Sequence, residues 1–367
     1  MAPLGALARY LNTLVFQFSS AEALLRLKGD EKPDLVVGYG CDSVGTALYA
    51  KRRKLPFVHF TFGSLFDLIA TYEDEKRAWG IEAIGYTRRA EGAMVRTLQF
   101  QAFLERRMAA RADMLIVPCN LRREEVIRNF HVPAERVAVV PMGVDVTAFQ
   151  PTVSPSVARA KLGLAPDAFV LLTIGQSIWR KGILYLFEAI REIDRELPAN
   201  AKFLIAGFHQ RELVERQAAQ RGIKDRVICL GPQSHEEVRE LYTACDGFVL
   251  PSVEEGFGLV ILEALAVGLP LVVTRVGCAP DLLADGESAL IVAQRDVRAL
   301  GAALLRLCRD SKLRESLRSN GLRVARSCTW DLTGAKLHAV YERVLDERRS
   351  RIRQHGPVHT NEATIMS

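Results

Sequence analysis

The sequence of 367 residues lacks any apolar run long enough to cross a bilayer, because its longest run, Leu259 to Val273, is interrupted by Glu263. The first residues show neither a clear charged n-region nor a small-residue cleavage site, so a secretory leader is not expected. These absences favour a cytoplasmic protein.

Paired cysteines and paired aspartates are also missing. The seven cysteines lie singly, without a C-x-x-C motif or a histidine at metal spacing, which indicates reduced thiols and argues against a disulfide framework or a zinc site. No two aspartates lie two residues apart, so the Asp-x-Asp site that holds Mn²⁺ or Mg²⁺ on a diphosphate is absent. We expect no bound metal.

The charge balance is basic, with a formal net charge of +6 and a pI of about 9.0. Such a balance favours anionic partners, which include phosphorylated substrates, acidic membrane surfaces and nucleic acids. The sequence has no RNA-binding aromatic motif, basic zipper or zinc finger, so we expect no nucleic acid partner. Phosphorylated substrates and peripheral contact with an anionic inner membrane face both stay open.

Short β-branched runs alternate with longer amphipathic segments, which predicts β/α units around parallel sheets. The predicted strands are Asp34 to Gly40, Phe57 to Phe62, Met114 to Val117, Val137 to Pro141, Phe169 to Ile174, Lys202 to Ala206, Val227 to Leu230, Gly247 to Leu250, Leu271 to Thr274 and Ala289 to Val292. Glycine, aspartate and proline interrupt the pattern between Pro141 and Pro151. The fold class is therefore α/β, with two Rossmann-like domains facing a cleft.

The segment PSVEEGFGLVILEALAVGLP, which begins at Pro251, carries the sharpest functional pattern. Its apolar run has helical spacing from near Gly258, so Glu263 lies on about the second turn and Glu255 lies before the helix. Both carboxylates and the free N–H groups of the helix start can then face one ligand. Carboxylates accept hydrogen bonds from sugar hydroxyls and free amides bind phosphate oxygens, which predicts an anionic, sugar-bearing ligand.

This pattern resembles the E-x7-E signature of glycosyltransferase family 4, retaining enzymes of the GT-B fold that use nucleotide-diphosphate sugars. The likeness runs from about Asp34 to Tyr341 and includes the linker, where Met142 replaces the usual asparagine. It implies an acceptor-side domain at 1–148, a donor-binding domain at 149–330 and a crossover helix at 331–348. A disordered basic tail is expected at 349–367.

The resemblance implies a role for each residue of the motif. Glu263 would bind the ribose and Glu255 the transferred sugar, which is a co-substrate because no permanently bound cofactor is implied. Further donor contacts are expected from Ser252 and from the backbone of Gly256, Phe257 and Gly258, while Gly277 provides a tight turn beside the nucleotide. The acceptor would be a glycan, a lipid-linked glycan or a small molecule that offers a hydroxyl.

The segment TIGQSIWRKG supplies the cation for the leaving diphosphate. Lys181 matches the family lysine and Gly175 ends the preceding strand, but Gln176 stands where the family carries an arginine. Arg180 is a candidate replacement, although a surface position for it is equally compatible with the sequence. No motif places a carboxylate nucleophile behind the sugar. The family is read as reacting on the front face, where the enzyme supplies orientation and charge, and metal-independent transfer is expected.

The first domain departs from the family. Its first β/α units are missing, a helix is predicted at Leu4 to Leu27, and the strand from Asp34 would lie at an open sheet edge. A truncated or misassigned start and a short variant both explain this. Phe62 stands where the family has a histidine, and His59 is expected in the core. The alternatives to transfer are a sugar-nucleotide-binding protein that transfers nothing and an epimerase of the same fold.

Overall fold

The computed structural model describes residues 33–355, and its first domain is a four-stranded parallel sheet flanked by helices. The strand order is β1-β2-β3-β4, which follows the chain. Its elements are β1 (Val36–Tyr39), α1 (Val44–Arg53), β2 (Phe57–Phe60), α2 (Leu65–Trp79), α3 (Arg88–Arg111), β3 (Met114–Val117), α4 (Asn120–Phe130) and β4 (Val137–Val139).

The second domain is a six-stranded parallel sheet in the order β10-β9-β8-β5-β6-β7. Its elements are α5 (Pro155–Lys161), β5 (Val170–Ile174), α6 (Ile183–Ile193), β6 (Lys202–Ala206), α7 (Arg211–Gln220), β7 (Val227–Gly231), α8 (His235–Ala244), β8 (Gly247–Leu250), α9 (Leu259–Val267), β9 (Leu271–Thr274), α10 (Ala279–Leu282), β10 (Leu290–Val292), α11 (Val297–Arg309) and α12 (Ser311–Ser327). The helices pack on both faces of the sheet, and the contacts form two clusters of buried apolar side chains.

All ten predicted strands are present. Four of them, β3, β6, β8 and β9, have the predicted bounds, and the others differ by a residue or two at their ends. β1 lies at one end of the described sheet, as expected for the strand near Asp34. The predicted helix at Leu4 to Leu27 lies outside the described residues.

The last helix, α13 (Trp330–His355), returns to the first domain. Val344 is buried there with Val58 and Phe60 of β2, so an apolar stripe fastens the helix to the sheet. The expected disorder from residue 349 is wrong for residues 349–355, which continue the helix. These residues lack an apolar period, and the ion pair between Arg349 and Asp346 supports the helix on its exposed side.

All strands of the second sheet are parallel, and their order along the chain reverses beside β5. This strand pairs with β6 on one side and with β8 on the other, so the connections after β5 and β8 leave toward opposite faces. Ile183 of α6 joins one core cluster and Ile261 of α9 joins the other. In open parallel sheets the reversal leaves a crevice at the carboxyl ends of the strands, where ligands bind.

Candidate active site

The connections after β5 and β8 touch each other in this crevice. Gly182 has a left-handed backbone (φ 62°), and a Cβ atom there would lie 2.0 Å from the carbonyl oxygen of Pro251. The N–H of Val253 donates to the carbonyl oxygen of Arg180 at 2.9 Å. A glycine is therefore required at position 182. It lets the residues around Lys181 lie against the residues that lead from β8 to Glu255.

Lys181 and Glu255 form the centre of the site. The Lys181 Nζ lies 2.5 Å from Glu255 Oε1, and Ser252 Oγ donates to the same oxygen at 2.6 Å. Glu255 is buried, and its Oε2 has no hydrogen-bond partner in the described part of the chain. Gly175 leaves room for the lysine, because a Cβ there would lie 2.4 Å from Lys181 Cγ. Four residues predicted from sequence thus meet here.

The helix start of α9 carries unpaired amides. Gly258 is its N-cap with a left-handed backbone (φ 92°), and among residues 33–355 no acceptor is present for the N–H groups of Gly256, Phe257 and Gly258. Gly277 closes the turn from the other side, since its φ is 53° and a Cβ would lie 2.3 Å from the carbonyl oxygen of Phe257. These groups can hold an anionic oxygen.

Glu263 lies on the second turn of α9, as predicted. Its Oε2 accepts a hydrogen bond of 2.9 Å from the hydroxyl of buried Tyr242, and its Oε1 has no partner among the described residues. Burial raises the pKa of Glu263, while the Tyr242 hydrogen bond and the charges of His235 and Lys181 lower it in part. Glu263 is therefore fixed by one oxygen and can accept from a ligand with the other.

Comparison with known families agrees with this geometry. Residues 156–324 match the family described as glycosyl transferases group 1, and residues 2–143 match the glycosyl transferase 4-like domain. The chain carries a group 1 glycosyltransferase domain. The family resemblance of the E-x7-E motif is thereby confirmed.

Curated relatives of the chain include two D-inositol 3-phosphate glycosyltransferases. The one from Actinosynnema mirum is 33% identical over 257 residues, which cover 68% of this chain and 61% of the relative. The one from Streptomyces avermitilis is 30% identical over 260 residues, which cover 68% of this chain and 56% of the relative. The chain thus spans less than two thirds of the length of either relative.

Several solved structures share the fold of this chain. Anabaena HepE, in complex with UDP-glucose, has a TM-score of 0.70 at 20% identity. The match covers 89% of this chain and 82% of the HepE chain. The sucrose-phosphate synthase of Thermosynechococcus elongatus has a TM-score of 0.68 at 22% identity. The match covers 89% of this chain and 78% of the synthase. The predicted fold class, two Rossmann-like domains in the GT-B arrangement, is confirmed.

Two of the predicted cleft residues are arranged differently from the others. Arg180 Nε donates to Glu254 Oε2 at 2.7 Å, so its charge is already paired. Gln176 is exposed and makes no hydrogen bond within the described part of the chain. The replacement of the family arginine by Arg180 therefore stays a prediction, and Lys181 is the cation that contacts Glu255.

Sequence reasoning missed three residues that hold the site. Tyr242 fixes Glu263, and Glu254 links Arg180 to Arg122 of the first domain, with Arg122 Nη1 at 3.2 Å from Glu254 Oε1. Glu254 could have been predicted, because it directly precedes Glu255 in the sequence. Tyr242 and Arg122 gave no such local signal, because each is brought in by packing of a distant element.

The first-domain side of the cleft lies against the same loop. Phe62 packs beside Gly256, where a Cβ atom would lie 3.1 Å from that of Phe62. His59 is confirmed as a core residue, since it is fully buried and hydrogen-bonded through Nδ1 to Ser43 Oγ at 3.2 Å. Burial lowers the pKa of His59 to about 4, so it is neutral near pH 7.

Neither a metal cluster nor a bilayer-spanning helix occurs in residues 33–355. No group of three or more histidine, cysteine, aspartate or glutamate side chains there is placed to hold a metal ion. None of the helices in that range is both long and apolar enough to cross a membrane.

Proposed function

We propose that the protein is a retaining glycosyltransferase that moves a sugar from a nucleotide-diphosphate sugar to a hydroxyl of a glycan, lipid-linked or small-molecule acceptor. The observation that carries the proposal is the Lys181–Glu255–Ser252 cluster, which lies where the strand order of the second sheet reverses. The cluster joins a cation to a carboxylate with one free oxygen, and it lies next to a helix start with unpaired amides. These are the groups that a diphosphate and a sugar require.

Each donor group has a matching protein group. The Lys181 ammonium, paired with Glu255 in this structure, is the cation for the diphosphate, and the amides of Gly256 to Gly258 supply further donors. Glu263 Oε1 is available to the ribose hydroxyls and Glu255 Oε2 to the hydroxyls of the transferred sugar. The lysine thus has its charge where a leaving diphosphate gains charge.

The chemistry that fits these groups is front-face transfer. The bond between the anomeric carbon and the diphosphate oxygen breaks, and Lys181 with the helix-start amides stabilises the leaving diphosphate. The acceptor hydroxyl forms the new bond on the same face, and its proton passes to a phosphate oxygen of the leaving group. The protein supplies orientation and charge stabilisation, and no metal has a role in this proposal.

The relatives give the proposal its first substrates to test. Two curated relatives are named for D-inositol 3-phosphate, which is an anionic small molecule, and HepE was solved with UDP-glucose. UDP-sugars are therefore the first donors to screen, together with GDP- and ADP-sugars. A hydroxylated, phosphorylated acceptor agrees with the basic charge of this chain.

Peripheral contact with an anionic membrane is a further part of the proposal. Lys51, Arg52 and Arg53 are exposed in the last turn of α1, and acidic lipid attracts such a group of charges. Sedimentation with vesicles that contain anionic lipid, against neutral vesicles, measures this contact. Equal sedimentation with both would contradict it.

The experiment compares wild-type protein with the Glu263→Ala variant. Donor affinity is measured by calorimetry with UDP-, GDP- and ADP-sugars, and turnover is followed with the donor that binds best. Removal of a carboxylate that accepts from the ribose should weaken affinity by about tenfold or more.

Three outcomes separate the proposed activity from its alternatives. Donor-dependent transfer to an acceptor supports the glycosyltransferase. Tight binding without turnover assigns a sugar-nucleotide-binding protein, and a changed sugar configuration without an acceptor assigns an epimerase. No binding by the wild-type protein, or equal binding by Glu263→Ala, would show that the donor site is misplaced.

A further inference from the structure

Helix α2 of the first domain packs against the second domain beside the start of α6. The rings of Tyr72 and Trp179 lie 5.5 Å apart, and those of Trp79 and Tyr185 lie 5.0 Å apart, both edge to face. Tyr72 is fully buried and belongs to the core cluster of the second domain. The contact between the domains here is therefore a packed core.

A buried carboxylate lies inside this contact. Glu75 of α2 is 1% exposed, and its Oε1 accepts from Tyr185 at 3.2 Å and from Arg295 Nε at 2.8 Å. Arg295 has a left-handed backbone (φ 64°), which is unfavourable for a residue other than glycine. Because buried charges are stable only when paired, the Glu75–Arg295 pair holds the two domains in one geometry.

A second ion pair joins the domains close to Arg180. Arg122 of α4 contacts Glu254, and Glu254 also pairs with Arg180, whose Nη2 lies 2.5 Å from Glu254 Oε2. Arg122 and Glu254 are both buried. Arg122 is fixed in turn by Glu125, at 2.6 Å.

The aromatic contact with α2 and the ion pair with α4 both reach residues 179–185 of the second domain, which we call the Lys181 segment. Trp179 and Tyr185 meet α2, Arg180 is linked through Glu254 to α4, and Lys181 lies between them. We propose that Glu75 and Arg122 are positioning residues that hold the Lys181 segment, so that the first domain controls diphosphate affinity. The inference rests on the proposed function, in which Lys181 binds the donor diphosphate.

The segment needs such support because of its backbone. Gly182, directly after Lys181, is left-handed and has no side chain to pack, so packing from outside fixes the lysine. Removal of Arg122 leaves buried Glu254 with Arg180 as its remaining ion-pair partner, and removal of the Glu75 charge takes the acceptor away from Tyr185 and Arg295. In both variants the segment shifts because a contact that positions it is lost. A charge-assisted contact depends on geometry, so the affinity for the diphosphate falls first.

The test compares the affinities for UDP and UMP by calorimetry, in the full chain. If the donor screen selects another base, GDP and GMP or ADP and AMP replace them. The variants are Glu75→Gln, Arg295→Gln and Arg122→Ala, with Arg122→Lys as the conservative form. The control is Glu215→Gln, which breaks the exposed ion pair with Arg211 on α7.

We expect the UDP-to-UMP affinity ratio to fall about five- to tenfold in Glu75→Gln, Arg295→Gln and Arg122→Ala, the scale of a weakened charged contact. Arg122→Lys should recover part of the loss, and Glu215→Gln should keep the wild-type ratio. Because Arg295→Gln breaks the Glu75 pair from the opposite domain, it tests the same contact if Glu75→Gln fails to fold.

Tryptophan fluorescence gives an independent signal. Of three tryptophans in the chain, Trp79 and Trp179 lie in the contact and Trp330 is half exposed, so a Trp330→Phe background isolates the contact. UDP should change the emission of this background, and Glu75→Gln should reduce that change. A wild-type ratio in all three disruptive variants would overturn the inference and leave the proposed function intact. No UDP, GDP or ADP binding by wild-type protein would overturn both.

Discussion

A Gly175→Ala substitution tests the donor site without removing any of its charged groups. An added Cβ would lie 2.4 Å from Lys181 Cγ and 2.9 Å from both Cδ and Cε of the lysine. Gly175 is not among the residues with positive φ, so alanine fits the backbone there. The atoms that must move belong to the Lys181 side chain, which loses its place beside Glu255.

The expected effect on affinity follows from the lost contact. A hydrogen bond to a charged group contributes about 1.5–3 kcal/mol, so displacement of Lys181 from the diphosphate should weaken binding about 10- to 100-fold. The free energy of unfolding should also fall, because buried Glu255 loses its ion-pair partner when Lys181 moves and keeps only the hydrogen bond from Ser252. Affinity is therefore compared at a temperature at which both proteins are folded.

The assay is calorimetric titration of wild-type, Gly175→Ala and Gly334→Ala proteins with the nucleoside diphosphate chosen by the donor screen. Gly334 lies in α13, and a Cβ there meets no atom within 4 Å, so Gly334→Ala makes the same chemical change in open space. The control should bind like wild type. Affinity of Gly175→Ala within twofold of wild type, in a folded protein, would refute the assignment of Lys181 to the diphosphate.

Two further predictions concern stability. Gly182→Ala should lower the free energy of unfolding by about 2 kcal/mol or more, because the new Cβ clashes with the carbonyl oxygen of Pro251 and alanine is strained in a left-handed backbone. Gly163→Ala has a similar φ of 64° and no atom within 4 Å, so it should cost less, and equal melting temperatures would contradict this. Burial raises the pKa of Glu105 from 4.5 to about 7, so the folded protein keeps a proton that the unfolded chain releases. Wild-type stability should fall between pH 5 and 8 relative to Glu105→Gln, by up to about 3 kcal/mol, and parallel pH profiles in urea unfolding would argue against it.

The sequence predicted the parts of the fold that local patterns determine. Every strand was identified because β-branched runs end at turn residues, and the two loops that meet in the crevice were found from their glycines and charges. Lys181, Glu255 and Ser252 were each predicted for the donor site, and they lie together because β5 and β8 are neighbours at the sheet reversal. That adjacency is a general property of such sheets.

The contacts between the domains could not be predicted. Glu75 has the sequence of an ordinary charged helix position, yet it is buried because α2 lies against a core formed by residues more than a hundred positions later. Arg122 and Glu254 pair over a similar separation. Such contacts depend on how two finished domains pack, and no local spacing records that. The helical residues 349–355 were missed because they have no apolar period, although they continue the helix that begins at Trp330.

We propose that the second domain binds a nucleotide-diphosphate sugar between the Lys181 and Glu263 side chains. A crystal structure of the full chain with the nucleoside diphosphate selected by the donor screen tests this binding mode. We expect the diphosphate to lie within hydrogen-bond distance of Lys181 Nζ and the amides of Gly256 to Gly258, with the ribose on Glu263. Nucleotide density on the first domain, or a ribose away from Glu263, would contradict it.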